Sequence, residues 1–172
     1  MATLHVLLLG TDLQDGSRIF DQLQSAGFQP VIQSIAGLAE LDTCLETAHL
    51  TGPVNPSGPP AWDIVIADYD RPASGRLDAL ERIHRDWPDL PVIFLAGRDG
   101  VGLSTLALKA GASDFILKSD LYRLGRSVSR EIETLRLLRQ TRWAERAQNA
   151  TLQISESASA TDDLEQLYHW IH

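Results

Sequence analysis

The chain has 172 residues, with 15 Lys and Arg against 23 Asp and Glu, giving a formal net charge of −8. Its 44% hydrophobic and 22% charged residues exclude a mainly disordered chain, and the length allows one domain with an appendage. The acidic balance leaves too little positive charge for a nucleic-acid binder, and the single cysteine, Cys44, excludes a disulfide framework or a Cys-rich zinc site and fits a reducing compartment.

Leu4-His5-Val6-Leu7-Leu8-Leu9 is nearly continuous in apolar residues and is closed by Gly10, the pattern of a strand buried on both faces. It is too short to span a membrane and lacks the basic flank of a signal peptide, so the expectation is a soluble, cytoplasmic protein. Ile19, Phe20, Leu23 and Ala26 follow at helical steps, and Gly27 stops the helix. Pro30 to Ile35 reads as a second strand. Leu38 to His49 reads as a second helix, with Leu38, Leu41, Leu45 and Ala48 on one face and Cys44 as a small apolar residue beside them.

Between Gly52 and Pro60 four prolines and two glycines fall within nine residues, which makes an exposed loop. Asp63 to Asp68 is a third strand ending in acid, and Leu77, Leu80, Ile83 and Trp87 mark a helix stopped by Pro88. Pro91 to Ala96 is a fourth strand, followed by turn chemistry at Asp99-Gly100. Ser104 to Ala110 is a helix closed by Gly111, and Phe115 to Leu117 a fifth strand. A helical pattern then runs from about Leu121 to Ala147.

Strands and helices in alternation, joined by short connections, predict an α/β fold: a doubly wound, five-stranded parallel sheet with helices on both faces and an extended C-terminal helix. Ligand chemistry in such sheets gathers at the carboxyl ends of the strands. The residues there are Gly10 to Asp12, Asp68 to Pro72, Ala96-Gly97 and Lys118. Gly10 and Gly16 do not make a phosphate loop, because no Lys-Ser/Thr pair follows. No glycine-rich loop or catalytic His supports a flavodoxin-like enzyme at the same strand ends.

The segments HVLLLGTD, WDIVIADYDRP, DLPVIFLAGRDG and ALKAGASDFILKSD resemble, in order and spacing, the receiver domain of bacterial two-component response regulators. The resemblance covers residues 1 to about 130. It implies that Asp68 is the phosphoacceptor, served by a histidine kinase or phosphotransfer protein, and that Lys118 contacts the phosphoryl group. It also implies Mg2+, held by Asp68, the backbone carbonyl of Asp70 and an acid after the first strand, here Asp12.

Two positions depart from that family. Gly10 and Thr11 stand where two adjacent acids are usual, so a weak Mg2+ site is expected. Ala96 stands where a hydroxyl usually couples phosphorylation to an aromatic switch residue, here Phe115. These departures keep open a second reading: a degenerate receiver acting as a phosphorylation-independent interaction or dimerisation module.

Leu121, Leu124, Val128, Ile132, Leu135 and Leu138 recur at helical steps among Arg and Glu. The first half of this stripe is expected to cover the sheet. Residues 131–150 are expected to form a coiled-coil-like linker and a homodimer, or alternatively to fold back on the domain. Residues 151–172 carry an amphipathic pattern, Leu164, Leu167, Trp170 and Ile171, that resembles the opening of a GAF sensory domain. A longer protein ending in a histidine kinase or diguanylate cyclase would fit. His169 and His172 lack a third metal ligand nearby.

Overall fold

The computed structural model describes residues 2–51, 62–70, 76–97, 102–138 and 140–141. Pro72, the loop from Gly52 to Pro60, the Asp99-Gly100 turn, and the linker and GAF-like stretches beyond 141 lie outside them. The chain divides into two units, Met1–Glu133 and Thr134–His172. In the second, the described residues are helical, and Leu137 and Leu138 are exposed.

The first unit is a five-stranded, all-parallel sheet in the order β2-β1-β3-β4-β5. Its strands are β1 (Ala2–Leu9), β2 (Phe28–Ile35), β3 (Ile64–Asp68), β4 (Val92–Ala96) and β5 (Asp114–Leu117). The helices are α1 (Leu13–Ser25), α2 (Leu38–Thr51), α3 (Arg76–Asp86) and α4 (Ser104–Lys109). A 3-10 turn over Lys118–Arg123 leads into a fifth helix, α5, at residues 124–138. Among the described residues no helix is long and apolar enough to cross a membrane.

Strand alternation sorts the apolar residues into two cores. Leu7, Leu9, Val65, Ala67, Val92, Phe94 and Ala96 point to one face, where Leu41, Leu45, Leu80, Ile83 and Ala107 cover them. Leu4, Val6, Leu8, Ile64, Ile66, Ile93, Leu95 and Ile116 point to the other, under Ile19 and Leu23 of α1 and Leu121, Leu124 and Val128. Because both faces are covered, residues 6–9 of β1, 64–67 of β3 and 92–96 of β4 read as unbroken apolar runs. The first half of the C-terminal stripe covers the sheet as expected.

Several boundaries differ from the sequence reading by a residue or two, β1 beginning at Ala2, β5 at Asp114 and α2 ending at Thr51, and two of the differences have a plain physical reason. β2 begins at Phe28, before Pro30, which pairs with Leu4. It is an edge strand, so the missing proline N–H disrupts no second ladder. The chain after β5 enters α5 through a 3-10 turn in which Asp120 leaves helical geometry, at φ −107° and ψ 24°.

Gly125 brings α5 against the end of α1: a Cβ there would lie 2.5 Å from Ala26 Cβ and 3.3 Å from the Gln22 carbonyl oxygen. Gly125→Ala gains about 1 kcal/mol of helix propensity but overpacks the crossing by about 1–3 kcal/mol. The expected result is a lower urea midpoint, with Ala26→Gly in the same chain restoring it.

Candidate functional site

Asp68 closes β3 on the same face as Ile64 and Ile66, the face that α1 covers. It is 8% exposed, one of only two buried polar or charged residues among those described. One carboxylate oxygen, Oδ1, accepts the Asp70 backbone N–H at 2.9 Å. The other, Oδ2, accepts from Lys118 Nζ at 2.8 Å. Lys118 follows the last residue of β5, and the parallel register brings the ends of β3, β4 and β5 together, with Asp68 beside Leu95 and Ala96 beside Leu117.

The Lys118 ammonium also lies 3.0 Å from Asp15 Oδ2 and 3.3 Å from Asp70 Oδ2. One cation thus faces three carboxylates. Burial alone would lower its pKa, but hydrogen bonds to Asp68 and Asp15 and the attraction of both carboxylates outweigh burial and raise it above the ordinary lysine range. Asp70 is held in turn by the Gly97 backbone N–H at 2.5 Å, and a Cβ on Gly97 would come within 3.0 Å of that carboxylate oxygen. Glycine therefore suits the end of β4 because a carboxylate approaches its backbone closely.

Asp15 was not among the sequence candidates. The acid singled out after β1, Asp12, is the N-cap of α1, and its Oδ1 accepts the Asp15 backbone N–H at 2.8 Å. Asp12-x-x-Asp15 therefore has the spacing of a helix-start pattern, yet Asp15 sends its carboxylate to Lys118. Asp15 thus brings an acid from the first turn of α1 to the Lys118 ammonium. Gly10 takes a positive φ of 69° as the chain leaves β1, and the Thr11 hydroxyl is buried without a hydrogen-bond partner.

Ala96 is fully buried in the apolar core. Phe115 packs edge-on against Tyr69 at 5.5 Å, and Tyr69 packs against Phe94 at 5.3 Å. Phe115 therefore rests on the residue next to Asp68.

The oxygen ligands at this site have the chemistry a hard cation such as Mg2+ takes. Here the three carboxylates face the Lys118 ammonium, 2.8 to 3.3 Å from Nζ. Among the described residues no three His, Cys, Asp or Glu side chains are grouped as a metal site.

No protein-family model matches the chain. It is 41% identical over 71 residues to the nitrogen assimilation regulatory protein NtrX of Azorhizobium caulinodans, a stretch covering 39% of this chain and 16% of that protein. It is 35% identical over 82 residues to the C4-dicarboxylate transport transcriptional regulatory protein DctD of Pseudomonas aeruginosa, covering 46% of this chain and 17% of that one. The matches thus span less than a fifth of either regulator. A response regulator receiver domain protein from Clostridium thermocellum superposes with a TM-score of 0.59 at 22% identity, covering 80% of this chain and 99% of that one. The fold is the receiver fold of response regulators.

Proposed function

We propose that this domain is a phosphoacceptor receiver of a two-component system, with Asp68 as the acceptor and a histidine kinase or phosphotransfer protein as the donor. The observation that carries the reading is the buried Asp68 carboxylate at the end of β3 in contact with Lys118 at 2.8 Å. A carboxylate oxygen of Asp68 attacks the donor's phosphorus, forming an acyl phosphate. The bond to the donor nitrogen breaks, and the departing imidazole keeps the electron pair and later takes a proton from solvent.

Lys118 offers charge-assisted hydrogen bonds to the incoming phosphoryl oxygens. When bound, Mg2+ supplies further positive charge against those oxygens. Asp68, the Asp70 carbonyl and Asp15, in the part the sequence suggested for Asp12, are the groups to hold it. The added charge of about −1.5 to −2 would be read through the packing of Tyr69, Phe94 and Phe115 and passed along α5 to an output region or a second copy of the chain.

Ala96 favours a second reading, an interaction module that needs no phosphorylation, because no hydroxyl at that place links a phosphoryl group to Phe115. Intact mass after incubation with Mg2+ and acetyl phosphate separates the two. The expected result is one added phosphoryl group that hydroxylamine removes and that Asp68→Asn never acquires. No adduct at saturating donor and Mg2+ overturns the phosphoacceptor reading in favour of the module.

A further inference from the structure

Arg18 lies one turn beyond Asp15 on α1, and its two terminal nitrogens do different things. Nη1 donates to Asp15 Oδ1 at 3.2 Å, while Nη2 donates to the main-chain carbonyl of Lys118 at 3.1 Å, a contact spanning 100 residues of sequence. The other Asp15 oxygen accepts from the Lys118 ammonium. Lys118 is therefore held at both ends: its backbone directly by Arg18, its ammonium by the carboxylate that Arg18 orients.

Stability does not account for this arrangement. The Arg18 side chain is 50% exposed, and exposed ion pairs contribute little. Orientation does account for it. A lysine side chain is a long flexible stem carrying a point charge, whereas a guanidinium is a rigid planar fork that can serve two acceptors at once. Without the fork, Asp15 is free to change rotamer and the ammonium loses one of its three anchors.

We propose that Arg18 is a positioning residue, its fork fixing Asp15 and the Lys118 carbonyl together so that the Lys118 ammonium stays on Asp68. Its consequence for phosphoryl acceptance rests on the reading of Asp68 given above; the positioning itself does not.

The chain has only two lysines, Lys109 and Lys118, and Lys109 is exposed on α4, so it serves as an internal reference. Folded protein is treated with limiting acetic anhydride near pH 8, and acetylation at each lysine is read by peptide mass spectrometry. Acetylation needs the lysine nitrogen to leave its hydrogen-bond partners and meet the reagent, and Lys118 Nζ lies within 2.8 to 3.3 Å of three carboxylates. Lys118 in the unaltered chain is therefore expected to react more slowly than the exposed Lys109.

Arg18→Ala is expected to raise the Lys118-to-Lys109 ratio by about threefold, and Asp15→Asn by more, since it removes a direct hydrogen-bond partner of the ammonium. Arg18→Lys is expected to behave like Arg18→Ala, because one ammonium cannot span both acceptors. Arg82→Ala, which breaks the remote Arg82–Asp42 pair, is expected to leave the ratio unchanged, and circular dichroism verifies that each variant is folded. An unchanged ratio in Arg18→Ala, or full rescue by Arg18→Lys, overturns the proposal. No phosphodonor is used, so a failure of Asp68 to accept phosphate cannot be confused with a failure of this test.

Discussion

Replacing Lys118 by methionine is expected to destabilise the domain by about 3 kcal/mol, and adding Asp68→Asn to that chain is expected to return most of the loss. The Asp68 side chain is 4% exposed, and without the ammonium it keeps only the Asp70 N–H while facing the carboxylates of Asp15 and Asp70. Removing one partner of a buried ion pair costs about 3–5 kcal/mol because the other charge is left uncompensated. The Lys118 side chain is 22% exposed, so solvent screening places the cost at the low end of that range. The double variant removes the stranded charge, and a neutral amide can still accept the Asp70 N–H.

The pH dependence follows from the Lys118 shift. Its folded pKa is raised, so its contribution is complete below the ordinary lysine value of about 10.4 and is lost only as pH rises through the higher folded value. The deficit from this pairing in Lys118→Met is therefore expected to stay level from pH 7 to 9. Urea midpoints of the two single variants and the double variant measure the coupling. If the double variant is no more stable than Lys118→Met alone, the unpaired Asp68 charge is not the cause.

The same ion cluster marks the limit of what the linear chain displays. The five strands, the helices between them and the covering of both sheet faces follow from patterns visible in it: apolar runs at Leu4 to Leu9, Ile64 to Ala67 and Val92 to Ala96, helical steps between them, and glycines after α1 and α4. Those signals are local, and the covered sheet makes them strong. Asp68 and Lys118 were also visible, because each stands at the end of such a run. Asp15 was hidden because an acid three residues after an N-cap reads as a capping device. In the folded chain, which leaves β1 through Gly10 at a positive φ, this acid meets Lys118, just after β5. Arg18 had no local signal, since its partner carbonyl is 100 residues away. The start of β2 was missed because proline suggests a boundary, whereas an edge strand tolerates it.

Phe94→Ala is expected to cost about 3–5 kcal/mol, the range for truncating a fully buried aromatic, and to loosen the site as well as the core. Phe94 is 1% exposed and lies in the middle of β4. Its ring holds Tyr69 edge-on at 5.3 Å, and Tyr69 holds Phe115 at 5.5 Å. Tyr69 is the residue after Asp68, and Phe115 precedes Lys118 by three. A cavity at Phe94 therefore removes the common support of both ends of the Asp68–Lys118 pair. Phe115→Ala is expected to cost less, because Phe115 is only partly buried at the edge of the same cluster. Denaturant midpoints give that order, and the Lys118-to-Lys109 acetylation ratio gives the effect on the site. The ratio is expected to rise in folded Phe94→Ala and to stay unchanged in Ile93→Val, a truncation of one methyl group on the opposite face of β4 that costs only about 0.5–1.5 kcal/mol. If the two variants leave the ratio equal, the aromatic cluster supports the core alone.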